Sequence, residues 1–195
     1  KLKSYFIENR RKMKKVNSTT GDNSDIDDII NFHENGFIFL LQLCSPQFSQ
    51  RTRVSAMGMI RKGAEIAPDL LHAIAGENAL VRILINSLRE ANQNPTMVLL
   101  GKYSCQSLNI IALQSKLKGK MHIVDNGGLD VLMEIALFHA EKEVLIEALI
   151  AVANLCFVDY VQEAIAHDYL YDLIKKTWTS DDTDISHIID KILYK

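Results

Sequence analysis

One unit of sequence recurs along this chain and constrains its fold more than any other feature. The clearest copy opens with Asn126-Gly127-Gly128-Leu129 and continues through Ala148–Cys156. The two glycines can adopt positive φ, which a sharp corner between two helices requires. The residues after the glycines are apolar at helical spacing: Leu129, Leu132, Met133 and Ala136. Small alanines in the second segment let a neighbouring helix approach closely. The unit therefore predicts helices that pack tightly on one another.

Weaker copies of this unit lie before and after it. The equivalent positions are Ile38, Leu80, Leu129 and Leu170, and their successive spacings are 42, 49 and 41 residues. A period of about 40–47 residues is typical of helical solenoid repeats. The longest interval contains the polar, proline-bearing stretch 92–96, which predicts an enlarged loop with an insertion of about seven residues.

Two stretches of the clearest copy resemble the armadillo repeat family. Val124–Leu129 is similar to the opening of an armadillo repeat, and Ala148–Leu155 is similar to its third helix. The resemblance covers residues 117–158 well, 28–63 and 69–113 fairly, and 161–195 partly. It implies an all-α fold: a right-handed α-solenoid of three to four armadillo-like (ARM/HEAT) repeats with capping helices at both ends.

The chain is predicted to have three parts. Residues 1–16 form a basic N-terminal helix that either caps the first repeat or docks elsewhere, residues 17–24 form a flexible linker, and residues 25–195 form the repeat domain. The repeats are expected at 28–68, 69–115 and 116–158, with a partial one at 159–195. Because the chain begins at Lys1 without Met, we expect a piece of a longer protein. Three to four repeats is short for the armadillo family, which favours the same expectation or end-to-end association of short stacks. The oligomeric state stays open.

Composition excludes several classes of protein. Of the 195 residues, 48% are hydrophobic, but no apolar run approaches the length of a membrane-spanning helix. Cys44, Cys105 and Cys156 are far apart and each lies in an apolar segment. That pattern indicates buried thiols in a reducing compartment, so we predict a cytoplasmic protein.

No catalytic constellation is visible in the sequence. None of the six histidines has a zinc-ligand partner at the required spacing, and no nucleophile elbow, P-loop or dinucleotide fingerprint occurs. We therefore predict no enzyme activity, no metal and no cofactor. Aromatic residues are only 7% and the basic residues are not arrayed on one face, so a nucleic-acid partner is not expected.

The armadillo resemblance implies that the third helices line a groove for extended peptides. Asn154 matches the groove asparagine of the family, but Ile150 stands where nuclear-import adaptors have a tryptophan. The tryptophan–asparagine ladder is absent, which argues against recognition of basic import signals. Placed by analogy, the groove floor is expected to contain Arg53, Met57, Arg61, Tyr103, Gln106, Glu143, Glu147 and Asn154.

These patterns favour a non-catalytic protein-interaction module, a scaffold or adaptor that binds a protein or an extended peptide. One alternative is a regulatory or client-holding domain of a larger protein, as in the armadillo-like myosin chaperones or an enzyme-linked regulator. The other is a membrane-peripheral adaptor that contacts an anionic surface through Lys1–Lys15.

Overall fold

A computed structural model of the chain describes residues 36, 39–66, 79–114, 117–139 and 141–194. The chain separates into two compact units, Lys1–Phe39 and Leu40–Lys195, and the account below concerns the second. The predicted N-terminal helix, the linker and the opening of the first repeat lie outside the described residues, and so does the stretch that joins α1 to α2. The repeat boundaries stay a prediction.

Nine α-helices are described in the second unit, after a short helical turn that ends at Leu43. They are α1 (Gln50–Ile66), α2 (Ala79–Gln93), α3 (Val98–Gln114), α4 (Leu117–Asp125), α5 (Gly128–Phe138), α6 (Lys142–Leu155), α7 (Asp159–Ala164), α8 (Leu170–Thr179) and α9 (Thr183–Leu193). A 3₁₀ turn, Pro95–Met97, precedes α3, and a π-helical turn, Ile165–Tyr169, joins α7 to α8. No strand occurs among the described residues.

The helices repeat as units of three, seen in full in α4–α5–α6 and again in α7–α8–α9. The third helix of each unit packs against the third helix of the next, so α1 contacts α3, α3 contacts α6, and α6 contacts α9. The second helices follow the same order, because α2 contacts α5 and α5 contacts α8. This all-helical stacking is an α-solenoid, as predicted.

Hydrogen bonds between second-helix regions repeat at nearly the period of the sequence. Asn92 donates to Glu134 at 2.9 Å, and Tyr169 donates to Asp130 at 2.9 Å. Lys176 Nζ donates to the carbonyl of Leu137 at 2.9 Å. Partners in these pairs are 39 to 42 residues apart in sequence. Each unit is thereby held to the one before it by groups at matching places.

The core is built from the inward stripes of these helices. Leu80, Leu84 and Leu88 of α2 and Leu132 of α5 are fully buried. Burial of such side chains contributes roughly 1.5–3 kcal/mol each, so the stack is held together mainly by its apolar faces. Leu80 and Leu129 are buried as repeat-equivalent positions should be, whereas Leu170 is 40% exposed.

The two glycines before α5 are needed for different reasons. Gly127 has φ 72°, in the left-handed region that favours glycine. Gly128 has no positive φ, but a Cβ placed there would lie 2.6 Å from both the Ile123 carbonyl oxygen and Ile123 Cγ2. The expectation that both glycines serve through positive φ is therefore wrong for Gly128, which makes room for the end of α4.

The insertion in the long interval is not simply an enlarged loop. Asn92 and Gln93 belong to α2, which has 15 residues where α5 has 11. The Asn94 side chain then caps the 3₁₀ turn by accepting a hydrogen bond from Thr96 N at 3.1 Å. The extra residues are thus mostly helical, because Asn94 and Pro95 both favour the start of a new helical turn.

The last helix, α9, is preceded by a short polar stretch around Asp182. Its side chain accepts a hydrogen bond from Asp184 N at 3.0 Å and caps α9. Ile185, Ile189 and Ile192 are buried, and α9 packs on α6. The apolar stripe of α9 therefore packs against α6, the third helix of the preceding unit. Within the described residues, no helix is both long and apolar enough to cross a bilayer.

Candidate functional site

The third helices α1, α3 and α6 each present one partly or fully exposed stripe, and together these stripes are the candidate site. Residues within each stripe are spaced by alternating steps of four and three, so they lie on one face of their helix. We call this the third-helix surface. It consists of Arg51, Ser55, Gly58 and Lys62 in α1; Leu99, Tyr103, Gln106, Ile110 and Leu113 in α3; and Glu143, Glu147, Ile150 and Asn154 in α6.

The α1–α3 side of the surface is formed around Tyr103. A Cβ added at Gly58 would lie 3.2 Å from the Tyr103 ring, so the missing side chain lets the ring lie against α1. The guanidinium carbon of Arg61 lies 5.7 Å from the centre of the same ring, within cation–π range. Arg61 also forms an i,i+4 ion pair with Glu65. The ring contact brings the Arg61 side chain against α3, and that side chain is only 21% exposed.

The α3–α6 side is joined by three polar contacts. Lys102 Nζ lies 2.5 Å from Glu143 Oε2, and Gln106 Nε2 donates to Glu147 Oε1 at 2.6 Å. At the far end of the two helices, Asn154 Nδ2 donates to Asn109 Oδ1 at 2.7 Å. The hydrogen bond between Lys102 and Glu143 raises the pKa of the ammonium and lowers the pKa of the carboxyl. Lys102 and Glu143 therefore stay ionised and paired at neutral pH.

Two residues predicted to line a groove floor are buried in the core. Met57 is fully buried, and Arg53 is 3% exposed. The Arg53 guanidinium pairs with Glu90 of α2, and its Nε donates to the carbonyl of Cys44 at 3.1 Å. The prediction is wrong for both side chains, because the stripe of α1 that faces outward is displaced by about one residue from the one expected.

The other six predicted residues are at or next to the third-helix surface. Tyr103, Gln106, Glu143, Glu147 and Asn154 belong to it, and Arg61 borders it beneath Tyr103. The carboxylates among them are already engaged, because Glu143 is paired with Lys102 and Glu147 accepts a hydrogen bond from Gln106. Whether these residues bind a partner stays a prediction.

Sequence reasoning missed the residues that give the surface its chemistry. It overlooked exposed Arg51 and Lys62 on α1, and the exposed leucines Leu99 and Leu113 on α3. The α1 residues were detectable: Ala56, Met57, Ile60 and Ala64 form its apolar stripe and leave the opposite face to Arg51 and Lys62. The leucines gave no such signal, because an apolar residue in a helix is usually buried.

The described residues contain no group of three or more side chains suited to hold a metal. Cys44, Cys105 and Cys156 are buried and form no disulfide. Burial raises the pKa of the Cys44 thiol to about 11 and raises the pKa of Cys105 as well. Thiols held protonated in this way are poor nucleophiles, so their role here is packing.

Tandem three-helix units whose third helices form a shared, partly exposed surface define an armadillo-like repeat fold. The sequence matches no described protein family and no curated protein.

Three solved structures with the same fold are engineered proteins. One, from a structural genomics consortium, superposes with a TM-score of 0.71 at 23% identity and covers 89% of this chain and 66% of its own. A second from that consortium has a TM-score of 0.67 at 24% identity, covering 80% and 36%. A designed armadillo repeat protein has a TM-score of 0.60 at 19% identity, covering 80% and 62%. The chain thus spans only about a third to two thirds of these structures.

Proposed function

We propose that the chain is a protein-interaction module that binds a segment of another protein on the third-helix surface. The observation that carries the proposal is the side-by-side packing of α1, α3 and α6, which brings exposed residues from three successive units onto one surface. Such a surface offers a long, continuous contact area that no single unit provides. Three buried cysteines that form no disulfide fit the further proposal that the protein works in the cytoplasm.

Charge on this surface is uneven, which favours an oriented ligand. Arg51 and Lys62 are exposed on α1, whereas the carboxylates of α6 are engaged by Lys102 and Gln106. A partner segment would therefore place an acidic residue over α1.

Panning a random peptide library on the purified chain tests the proposal. We expect selected peptides to bind the wild type and to lose affinity by about tenfold or more when Lys62→Glu is combined with Ile150→Arg. The matched control is Lys118→Glu, an exposed lysine on α4 that is outside the surface. Peptides that bind the double variant as tightly as the wild type would place the binding site elsewhere.

A further inference from the structure

The apolar residues of the third-helix surface are concentrated on two of its helices. Leu99 is 51% exposed and Leu113 is 62% exposed, at opposite ends of α3, with half-buried Ile110 between them on the same face. Half-buried Ile150 lies on the exposed stripe of α6. Single exposed leucines are ordinary on protein surfaces. Several apolar residues along one face of α3, continued by Ile150 on α6, are typical of an interaction surface.

The polar groups beside these aliphatic residues are engaged with one another. Lys102 is paired with Glu143, Gln106 donates to Glu147, and Asn109 accepts from Asn154. A charged ligand residue that binds here would have to break one of these contacts. The protein group displaced from that contact would then have no hydrogen-bonding partner. That exchange gains little, since both the ligand and the protein groups lose existing partners.

We infer that the partner segment contributes large apolar side chains, and no charged ones, where it crosses α3 and α6. The inference rests on the proposed function and adds the chemical class of the ligand. The aliphatic stripe of α3 supplies the contact area, and the paired polar groups beside it discourage charged residues. Charge recognition is thereby confined to α1, where Arg51 and Lys62 are exposed.

The test uses peptides selected on the full chain from a random library, measured by fluorescence polarisation. We expect the selected peptides to share two or more aliphatic or aromatic residues in an uncharged stretch. Their affinity is expected to fall by about tenfold or more with Leu113→Glu, and also with the uncharged variant Leu99→Gln. The matched control is Leu117→Glu, a leucine of 60% exposure on α4, which should bind as the wild type does.

A second protein variant separates apolar from charged recognition. Lys102→Met combined with Glu143→Gln removes the α3–α6 ion pair without changing the net charge, and we expect affinity to stay within about threefold of the wild type. Circular dichroism of each variant, compared with the wild type, confirms that a loss of binding is not a loss of fold.

A wrong ligand class and a wrong proposed function give different results in these experiments. If selected peptides lose affinity with the Lys102 and Glu143 changes but bind the Leu99 and Leu113 variants normally, the ligand class is wrong while the binding surface stands. If the library yields no peptide that any surface variant weakens, the proposed function fails and the inference fails with it.

Discussion

Arg53 of α1 and Glu90 of α2 form a two-pronged ion pair, with Nη1 2.6 Å from Oε1 and Nη2 2.5 Å from Oε2. The third donor on that side, Arg53 Nε, bonds the carbonyl of Cys44 in the turn before α1. One buried guanidinium thus links α1, α2 and the turn before α1. These contacts explain why Arg53, which the sequence analysis placed in a binding groove, has a structural role.

Replacing Glu90 with Ala should destabilise the protein by about 2 to 3 kcal/mol. The change leaves the buried Arg53 charge unpaired, and the value lies below that for a fully buried pair because Glu90 is about one-third exposed. Arg53→Met should cost less, since it removes the buried charge and keeps the volume. Urea unfolding followed by circular dichroism measures both. A smaller loss for Glu90→Ala than for Arg53→Met would contradict this account.

The same pair gives the protein a defined response to acid. The hydrogen bond from Arg53 lowers the pKa of Glu90 in the folded state. Stability from this carboxylate is therefore fully present above the unfolded-state pKa of about 4.3 and is lost as pH falls through the lower folded-state value. Between about pH 5 and pH 3, the wild type should lose stability more steeply than Glu90→Gln. Equal slopes for the two proteins would show that Glu90 titrates normally.

The corner before α5 should be sensitive to a single methyl group. Gly128→Ala should cost about 2 to 3 kcal/mol, because the new Cβ would lie 2.6 Å from the carbonyl oxygen of Ile123 and the backbone cannot easily give way. Gly127→Ala should cost about 1 kcal/mol for its positive φ. Gly36→Ala is the matched control, since no described residue lies within 4 Å of a Cβ there. Urea midpoints rank the three, and a Gly128→Ala midpoint equal to that of the control would refute the steric argument.

Periodicity predicted the stacking of helices well, because repeat-equivalent positions carry the same physical role. Leu80 and Leu129 are each the second residue of their helix and are both buried. Small Ser107 of α3 and Ala151 of α6 are both fully buried, and the two helices pack against each other. These are local signals, and each is repeated along the chain.

The register of α1 was not predicted, for an identifiable reason. It was transferred across the 49-residue interval, where a one-residue error in placing the insertion rotates a helix by about 100°. That rotation moves Met57 and Arg53 from a supposed groove into the core. The sequence could not predict the pairing of Lys102 with Glu143 either. These residues are 41 positions apart, and their contact depends on how α3 packs against α6.

Lys120 of α4 should stabilise the protein by binding the C-terminal ends of α3 and α6. Its Nζ donates to the carbonyl of Ala112 at the C-terminal end of α3 and, at 2.9 Å, to the carbonyl of Asn154 at the end of α6. The same ammonium lies 5.2 Å from the centre of the Phe157 ring. A cation is favoured there, since helix C-termini carry partial negative charge and unpaired carbonyls.

Lys120→Met should therefore destabilise the protein by about 1 to 2 kcal/mol, even though it retains most of the side-chain volume. Lys118→Met, on the same helix but exposed, is the control and should change little. Hydrogen exchange adds a local readout: amides in the last turns of α3 and α6 should exchange faster in Lys120→Met, while those of α1 should not. Faster exchange throughout the chain, with no excess at these two ends, would mean that Lys120 acts only through general packing.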